Sequence, residues 1–456
     1  MRCRLFFLLS LFAALLAAGS AVAGKLAPAS RPNLLLIVAD DLGYGDLSCY
    51  GARDLRTPNI DALASEGIRF DRFYANSPVC SPTRAALMTG CYPDRVGVPG
   101  VIRTFPADNW GYLSPRATLL PRVLQRAGYH TALVGKWHLG LSAPNTPNER
   151  GFDQFQGFLG DMMDDYLTHR RHDVNYMRRN DREIDPQGHA TDLFSTWAAD
   201  YVRSRESQSK PFFLYLAYNA PHVPVQPPDS YVARVRQRNP GIPDRRARLA
   251  ALIEQMDDGI GRVIEALKRS GAYENTLIVF TSDNGGQLSA GASNGSLRGA
   301  KEDMYEGGIR EPMCAVWPGR IRGGSRSDRV ALAMDLFPTL CEAAGAMPPP
   351  ACDGVSILPD LMGTPRQDDR TLFWVRREGG PRYQGSAVYA ARRGDWKLVY
   401  NSPFEPMQLF NLRDDPQEKT DLAKQHPKEF NELSAALRQH RQSAGQVPWQ
   451  APPRSR

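Results

Sequence analysis

The 456-residue sequence predicts an α/β fold: a large mixed, mainly parallel sheet sandwiched by helices, followed by a smaller α+β domain with an antiparallel sheet. Three observations carry that prediction. Four short, largely apolar runs show no polar alternation, which is how strands buried on both faces of a parallel sheet read. Helical spacing lies between two of them, and alternating strand and helix is the pattern of a parallel sheet. From about Pro348 the texture changes to proline-rich punctuation and then to short strands.

The elements follow in order. Asn33 to Ala39 is a continuous β-prone run that breaks off at Asp40-Asp41-Leu42-Gly43. His130 to Val134 runs into Gly135-Lys136-Trp137-His138, and Phe212 to Ala217 runs into Asn219-Ala220-Pro221-His222. Thr276 to Phe280 runs into Ser282-Asp283-Asn284-Gly285-Gly286. Leu249, Leu252, Ile253, Met256, Ile260, Val263, Ile264 and Leu267 recur at helical spacing, and Gly271 stops that helix. Ligand sites in such sheets lie beyond the carboxyl ends of the strands. Four polar clusters far apart in sequence are therefore expected to meet on one edge. Beyond residue 348, strands are expected at Thr371 to Val375, Ala387 to Ala391 and Trp396 to Tyr400, and a helix from about Pro427 to Arg441. The tail Pro448 to Arg456 is expected to be loose.

Composition narrows the function class. With 42% hydrophobic and 23% charged residues, the chain is too apolar for disorder. A formal charge of +7, spread along the chain, excludes a nucleic-acid binder and suits anionic small molecules or polymers. Arg2 and Arg4 precede the apolar run Leu5 to Ala18, and Ala21-Val22-Ala23 offers a cleavage site. That order reads as a signal peptide over 1–23, with a catalytic domain over 24–347 and a C-terminal subdomain over 348–456. An exported protein with no stable membrane anchor is expected, periplasmic or extracellular, or on the secretory and lysosomal route in a eukaryote. Cysteines 49, 80, 91, 314, 341 and 352 would then meet an oxidising compartment. Cys341 and Cys352 could close a short loop, but spacing leaves the pairing open.

The chemistry sits at the ends of the apolar runs. Asp40, Asp41, Asp283 and Asn284 offer only carboxylate and amide oxygens, a set suited to Ca²⁺ or Mg²⁺ and poor for zinc. Cys80 opens a probable-helix pattern after a proline- and serine-rich loop, with Arg84 one turn on. A helix start with a guanidinium nearby is electropositive, suited to a nucleophile or an anionic substrate.

At these residues the chain resembles the type I, formylglycine-dependent sulfatases. Cys80-Ser81-Pro82-Thr83-Arg84 fits the family's Cys-x-Pro-x-Arg signature, and Ala85 to Gly90 its extension. Asp40-Asp41, Gly135 to Gly140, Pro221-His222, Asp283-Asn284-Gly285, Leu297 to Arg310 and Leu409 to Leu412 follow the family's order. One departure is Ala300, where glycine is frequent before the lysine. The resemblance implies an alkaline-phosphatase-like fold and conversion of Cys80 to Cα-formylglycine by a maturing enzyme. The hydrated aldehyde carries two hydroxyls, one to attack sulfur and one to expel sulfate. The resemblance also implies that Asp40, Asp41, Asp283, Asn284 and modified Cys80 hold one Ca²⁺. Arg84 would steady the hydrate, and Lys136 and Lys301 would neutralise the sulfuryl oxygens. His138 would take the second hydroxyl's proton, and His222 would protonate the leaving alkoxide.

Substrate is less legible. The basic loop containing His169, Arg170 and Arg171 is expected to bind carboxylates or further sulfates of a glycan. A sulfated carbohydrate is favoured over a small aryl sulfate by family analogy. A related phosphatase or phosphodiesterase and a non-catalytic binding protein are the rivals. The pattern Asn294-Gly295-Ser296 lies near the expected pocket, and it is predicted to be unglycosylated.

Overall fold

The structure is a computed structural model that describes residues 31–366, 368–379 and 385–452; the expected signal peptide lies outside the described residues. The strands of the first part of the chain are β1 (Asn33–Asp40), β2 (Ile68–Tyr74), β3 (His130–Lys136), β4 (Gln154–Phe158), β5 (Arg170–Arg171), β6 (Val174–Asn175), β7 (Met177–Arg179) and β8 (Arg182–Glu183). They are followed by β9 (Phe212–Pro221), β10 (Thr276–Ser282), β11 (Arg310–Val316), β12 (Ser325–Ser327) and β13 (Ala331–Leu332). All but the β5-β6 ribbon join one sheet, in the order β12-β2-β11-β10-β1-β9-β3-β4-β7-β8, with β13 also on β2.

The five middle strands, β10-β1-β9-β3-β4, are mutually parallel, and β11 and β7 flank them antiparallel. Alternation along β1 explains why its run is apolar throughout. Leu35, Ile37 and Ala39 pack on one face against the helices Pro58–Glu66, Ala190–Ser204 and Asp244–Arg269. Leu34, Leu36 and Val38 pack on the other against Cys80–Thr89, Leu120–Arg126 and Leu336–Ala343. Both sets are fully buried, and each leucine, isoleucine or valine among them contributes about 1.5–3 kcal/mol relative to exposure. The mixed, mainly parallel sheet with helices on both faces is the architecture the sequence predicts.

Three of the four site-bearing strands continue two or more residues past the end of their apolar runs. β3 reaches Lys136, β9 reaches Pro221 and β10 reaches Ser282. The ladder therefore carries polar residues right up to the edge. A second, antiparallel sheet comprises β14 (Leu372–Arg377), β15 (Ala387–Arg393), β16 (Trp396–Tyr400) and β17 (Gln408–Asn411). The helix Pro427–Ala444 covers one face through Leu433 and Leu437. The other face, with Trp374, Ala390 and Phe410, packs on Tyr74, Ala86 and Met334 of the main body.

The start of the tail is not loose. The Trp449 ring stacks on Trp110 with centroids 4.4 Å apart and planes 7° from parallel. A single large aromatic supplied the burial that a polar, proline-rich tail does not advertise. All six described cysteines are free thiols, including Cys341 and Cys352. No helix among the described residues is long and apolar enough to cross a membrane.

Candidate active site

The sheet order places the carboxyl ends of β10, β1, β9 and β3 side by side, so the four polar clusters meet on one edge. The Asp283 amide donates to the Ala39 carbonyl at 3.2 Å, tying the end of β10 to that of β1. The Asp41 amide donates to Asp283 Oδ1 at 3.2 Å. Asp41 and His138 hold φ of 65° and 59°, a left-handed backbone uncommon for residues other than glycine and frequent at functional sites. Gly135 has φ 109°, and a Cβ there would lie 1.9 Å from the Ala217 carbonyl oxygen, so only glycine lets β3 approach β9 and deliver Lys136.

Cys80 begins a helix in which every residue is buried. Gly90 ends that helix at φ 69°, with its amide donating to the Ala86 carbonyl. The Cys80 thiol is raised well above its ordinary value by burial. A buried, protonated thiol is unreactive, so this position is not primed for thiolate chemistry.

Around it lies a compact charge cluster. Arg84 donates from Nε to Asp283 Oδ2 at 2.8 Å, and its Nη2 forms ion pairs at 2.6 Å with Asp283 Oδ2 and 3.6 Å with Asp40 Oδ1. Lys136 Nζ meets Asp40 Oδ2 at 2.5 Å. Lys301 Nζ meets Asp41 Oδ2 at 2.8 Å and His222 Nε2 at 3.0 Å. Asn284 Nδ2 donates to Asp41 Oδ1 at 2.7 Å. Burial alone would raise Asp40; Lys136, His222, Arg84 and Lys301 overcome it and hold the carboxyl well below its usual range. Burial and the neighbouring Asp40 push Asp283 up to about 7 despite Arg84.

The two histidines are set as opposite tools. His138 Nε2 lies 2.7 Å from the Ile102 carbonyl, which can only accept, so the proton sits on Nε2. Its Nδ1 is then a lone pair, buried and without a partner. Burial, Lys136 and Arg84 hold His138 well below its ordinary pKa, so that lone pair stays available as a base. His222 Nδ1 lies 2.7 Å from the Val223 carbonyl, which leaves Nε2 to accept from Lys301. Burial and Lys301 lower His222 too, so the proton facing the cavity is the one shared between Lys301 and His222.

The donor set fits a hard cation. Asp40 Oδ1 and Asn284 Oδ1 are buried and lack hydrogen-bond partners, an arrangement costly unless a ligand completes it. Ligand atoms of Asp40, Asp41, Cys80 and His222 all lie within 4.8 Å of one another. The oxygens of Asp40, Asp41 and Asn284 are the donors that suit Ca²⁺ or Mg²⁺.

A family model described as Sulfatase matches residues 32–346, and a second, N-sulphoglucosamine sulphohydrolase C-terminal, matches residues 300–444. The chain belongs to the sulfatase family. This sulfatase is a hydrolase of sulfate esters. It is 34% identical over 408 residues to N-acetylgalactosamine-6-sulfatase of Sus scrofa, covering 84% of this chain and 74% of that protein. It is also 34% identical to arylsulfatase A of Homo sapiens over 407 residues, 83% of this chain and 77% of the other. The crystal structure of Ps i-CgsB in complex with k-i-k-neocarrahexaose superposes with a TM-score of 0.83 at 34% identity, covering 92% of this chain and 95% of that one.

A cavity of about 590 Å³ opens onto Cys80, His138, His222 and Lys301. Of the basic loop, the sulfatase brings only Arg171 to this cavity, clamped by Asp161 at 3.1 Å and Asp164 at 2.6 Å. His169 is buried, with its ring 2.9 Å from the Gly188 carbonyl, and Arg170 pairs with Asp185 at 2.9 Å, so neither lines the cavity. Lys136 and Arg84 stand behind the cavity, engaged with carboxylates. Sequence reasoning did not single out Arg103, Asp161 or Glu302 of the lining, nor Glu311. Glu311 on β11 has both oxygens buried, and burial together with Asp283 and Asp41 raises it well above the usual carboxyl range against the opposing effect of Ser282. These residues lie in irregular loops or singly on a strand, with no spacing pattern to mark them. Asn294 is buried, its amide donating to the Gly286 and Gly299 carbonyls at 3.3 and 3.0 Å, so a glycan there would replace one of these two donors and need room the site lacks.

Proposed function

We propose that this protein removes sulfate from a sulfated carbohydrate by S–O cleavage, using formylglycine at position 80 and one Ca²⁺ held by Asp40, Asp41, residue 80, Asp283 and Asn284. The observation that carries the reading is the pair of unpartnered buried oxygens, Asp40 Oδ1 and Asn284 Oδ1, beside an unactivated Cys80. Formylglycine would supply paired hydroxyls on one carbon, and Ca²⁺ would polarise the sulfate oxygens. The protein's own side chains do the rest. Arg84 braces Asp283 and Asp40, fixing the donor cage. Lys301 presents positive charge to the sulfuryl group, with Lys136 adding to the field from behind Asp40. His138 Nδ1 takes a proton from the residue-80 side, and the proton shared by Lys301 and His222 goes to the departing alkoxide. Sugar alcohols leave poorly, so this last transfer matters most for a carbohydrate.

The carbohydrate reading draws on an N-acetylgalactosamine-6-sulfatase relative and a neighbour seen with k-i-k-neocarrahexaose. Small aryl sulfates are the second reading, since arylsulfatase A is equally similar. The signal-like segment 1–23, followed by a catalytic domain to residue 347 and a C-terminal subdomain over 348–456, fits an exported enzyme matured by a partner that oxidises Cys80. A phosphatase on the same kind of sheet would be expected to use more histidine and a hydroxyl nucleophile.

The test joins mass and metal. The Cys80 peptide of active protein should be about 18 Da lighter than its cysteine form. Chelation should remove sulfate-ester hydrolysis reversibly, with Ca²⁺ restoring it better than Zn²⁺. Full activity with unmodified Cys80, better recovery with Zn²⁺, or preference for phosphate esters would overturn the proposal.

A further inference from the structure

Outside the catalytic cluster, the cavity wall carries two arginines, Arg171 and Arg103, and each faces a carboxylate. Arg171 lies between Asp161 and Asp164. Arg103 Nη2 lies 3.2 Å from each oxygen of Glu378, and Nη1 donates to the Asp108 carbonyl at 3.2 Å. Glu378 comes from the C-terminal subdomain, and its side chain is fully buried. Its carboxylate also accepts from the Val101 amide at 2.9 Å and from Arg376 at 2.8 Å. An anion approaching such fixed pairs gains little net attraction. A sugar hydroxyl fits this wall better, because it can accept from the guanidinium edge of Arg103 or Arg171 and donate to Asp161, the carboxylate that lines the cavity.

The same loop leads outward from the chemistry. The Ile102 amide donates to Ser81 Oγ at 3.0 Å, and its carbonyl holds His138. Arg103 follows, and Phe105 stands 50% exposed two residues further on. The Phe105 ring lies 4.2 Å from that of His172, next to Arg171 in sequence. An exposed aromatic pair joining two cavity loops offers a platform for the apolar face of a sugar ring.

We infer that this wall, Arg103–Glu378 and Arg171–Asp161 leading to the Phe105–His172 platform, recognises an uncharged sugar joined to the one that carries the scissile sulfate. This rests on the carbohydrate reading above and specifies its substrate: an oligosaccharide whose neighbouring residue is read by its hydroxyls and ring face, not by a second acidic group. Glu378 acts as a positioning residue that cancels the charge of Arg103 and fixes its direction.

The test uses matured, Ca²⁺-loaded enzyme and matched disaccharides. Galactose 4-sulfate, galactose 6-sulfate and N-acetylgalactosamine 6-sulfate are each joined to galactose or to glucuronic acid, with the free monosaccharide sulfates and para-nitrophenyl sulfate beside them. On the sulfated sugar that is turned over, joining galactose should raise kcat/KM about tenfold, mainly through KM. Glucuronic acid should raise it less. Phe105→Ala should remove most of the galactose gain and Phe105→Trp should restore it. Glu378→Gln should shift preference toward glucuronic acid several-fold, which a purely structural loss would not do. A larger gain from glucuronic acid in the unaltered enzyme, or a galactose gain that survives Phe105→Ala, overturns the inference. Turnover of the aryl ester alone also overturns it while leaving ester hydrolysis standing; no turnover of any ester overturns the parent reading as well.

Discussion

Two buried clusters of charge lie in this molecule, and they are built to opposite specifications. Where the second sheet meets the main body, Lys397 Nζ lies 2.9 Å from both Glu306 and Glu418. Glu306 also accepts from the Tyr74 hydroxyl at 2.7 Å, and that hydroxyl accepts from Arg392 at 2.6 Å. Opposite charges there face one another within the protein, with Glu418 Oε1 held by the Lys397 ion pair alone, and they clamp β2, β15 and β16 together. On the sheet edge, Asp40, Asn284 and His138 keep buried polar atoms unmet, and the backbone is left-handed at Asp41 and His138. A matched cluster holds a shape; an unmatched one is completed by something that binds.

The sharpest way to break the distinction is Cys80→Ala. Turnover should fall at least about a thousandfold, while the melting transition moves little, as read by parallel activity and thermal-unfolding measurements. Retained sulfatase activity would refute the role of position 80. The converse change is Lys397→Met, which strands two buried carboxylates and should cost about 3–5 kcal/mol in denaturant unfolding. The molecules that remain folded should keep their kcat, because no partner of Lys397 touches the cavity.

A pH series separates the clusters further. Burial pushes Glu418 up to about 7 despite Lys397. Burial would also raise Glu306, but Lys397, Arg310 and Arg392 pull it down to about 2. Glu418 binds its proton more tightly folded than unfolded, so its contribution is complete below about 4.5 and is lost as pH rises through 7. Glu306 has the opposite sign, and its stability is lost as pH falls from about 4.5 through 2. Thermal stability should therefore decline between pH 5 and pH 8, and Glu418→Gln should flatten that decline; an unchanged slope would exclude this cluster as its source. The smallest effect expected is from Arg171→Ala, a several-fold loss on oligosaccharide sulfates that exceeds the loss on para-nitrophenyl sulfate. Arg170→Ala should do less, since Arg170 faces Asp185 outside the cavity lining.

The parallel core was legible because burial on two faces leaves apolar runs with no alternation. The convergence of Asp40, Lys136, His222 and Asp283 then followed from strand direction alone. The strand ends were less clear, because a ladder continues through polar residues once its neighbours are fixed, as at Gly135 and Lys136. The outer wall was least legible. Arg170 and Arg171 are adjacent and alike in sequence, yet one meets Asp161 in the cavity and the other Asp185 outside its lining. Glu378 reaches Arg103 across 275 positions of chain, a partnership that no local pattern encodes.

The burial of Cys80 also sets a schedule. Only 3% of the residue is exposed, and the Lys301–Glu302 turn closes over it with the Glu302 amide bonded to the Pro78 carbonyl. If Cys80 is oxidised as proposed, a protein that grips this stretch as a peptide would have to reach it while the chain is still open, before the segment near residue 300 has docked. On that reading, a molecule that folds first would be well formed, stable and inert, and the pace of folding would decide how many copies can work.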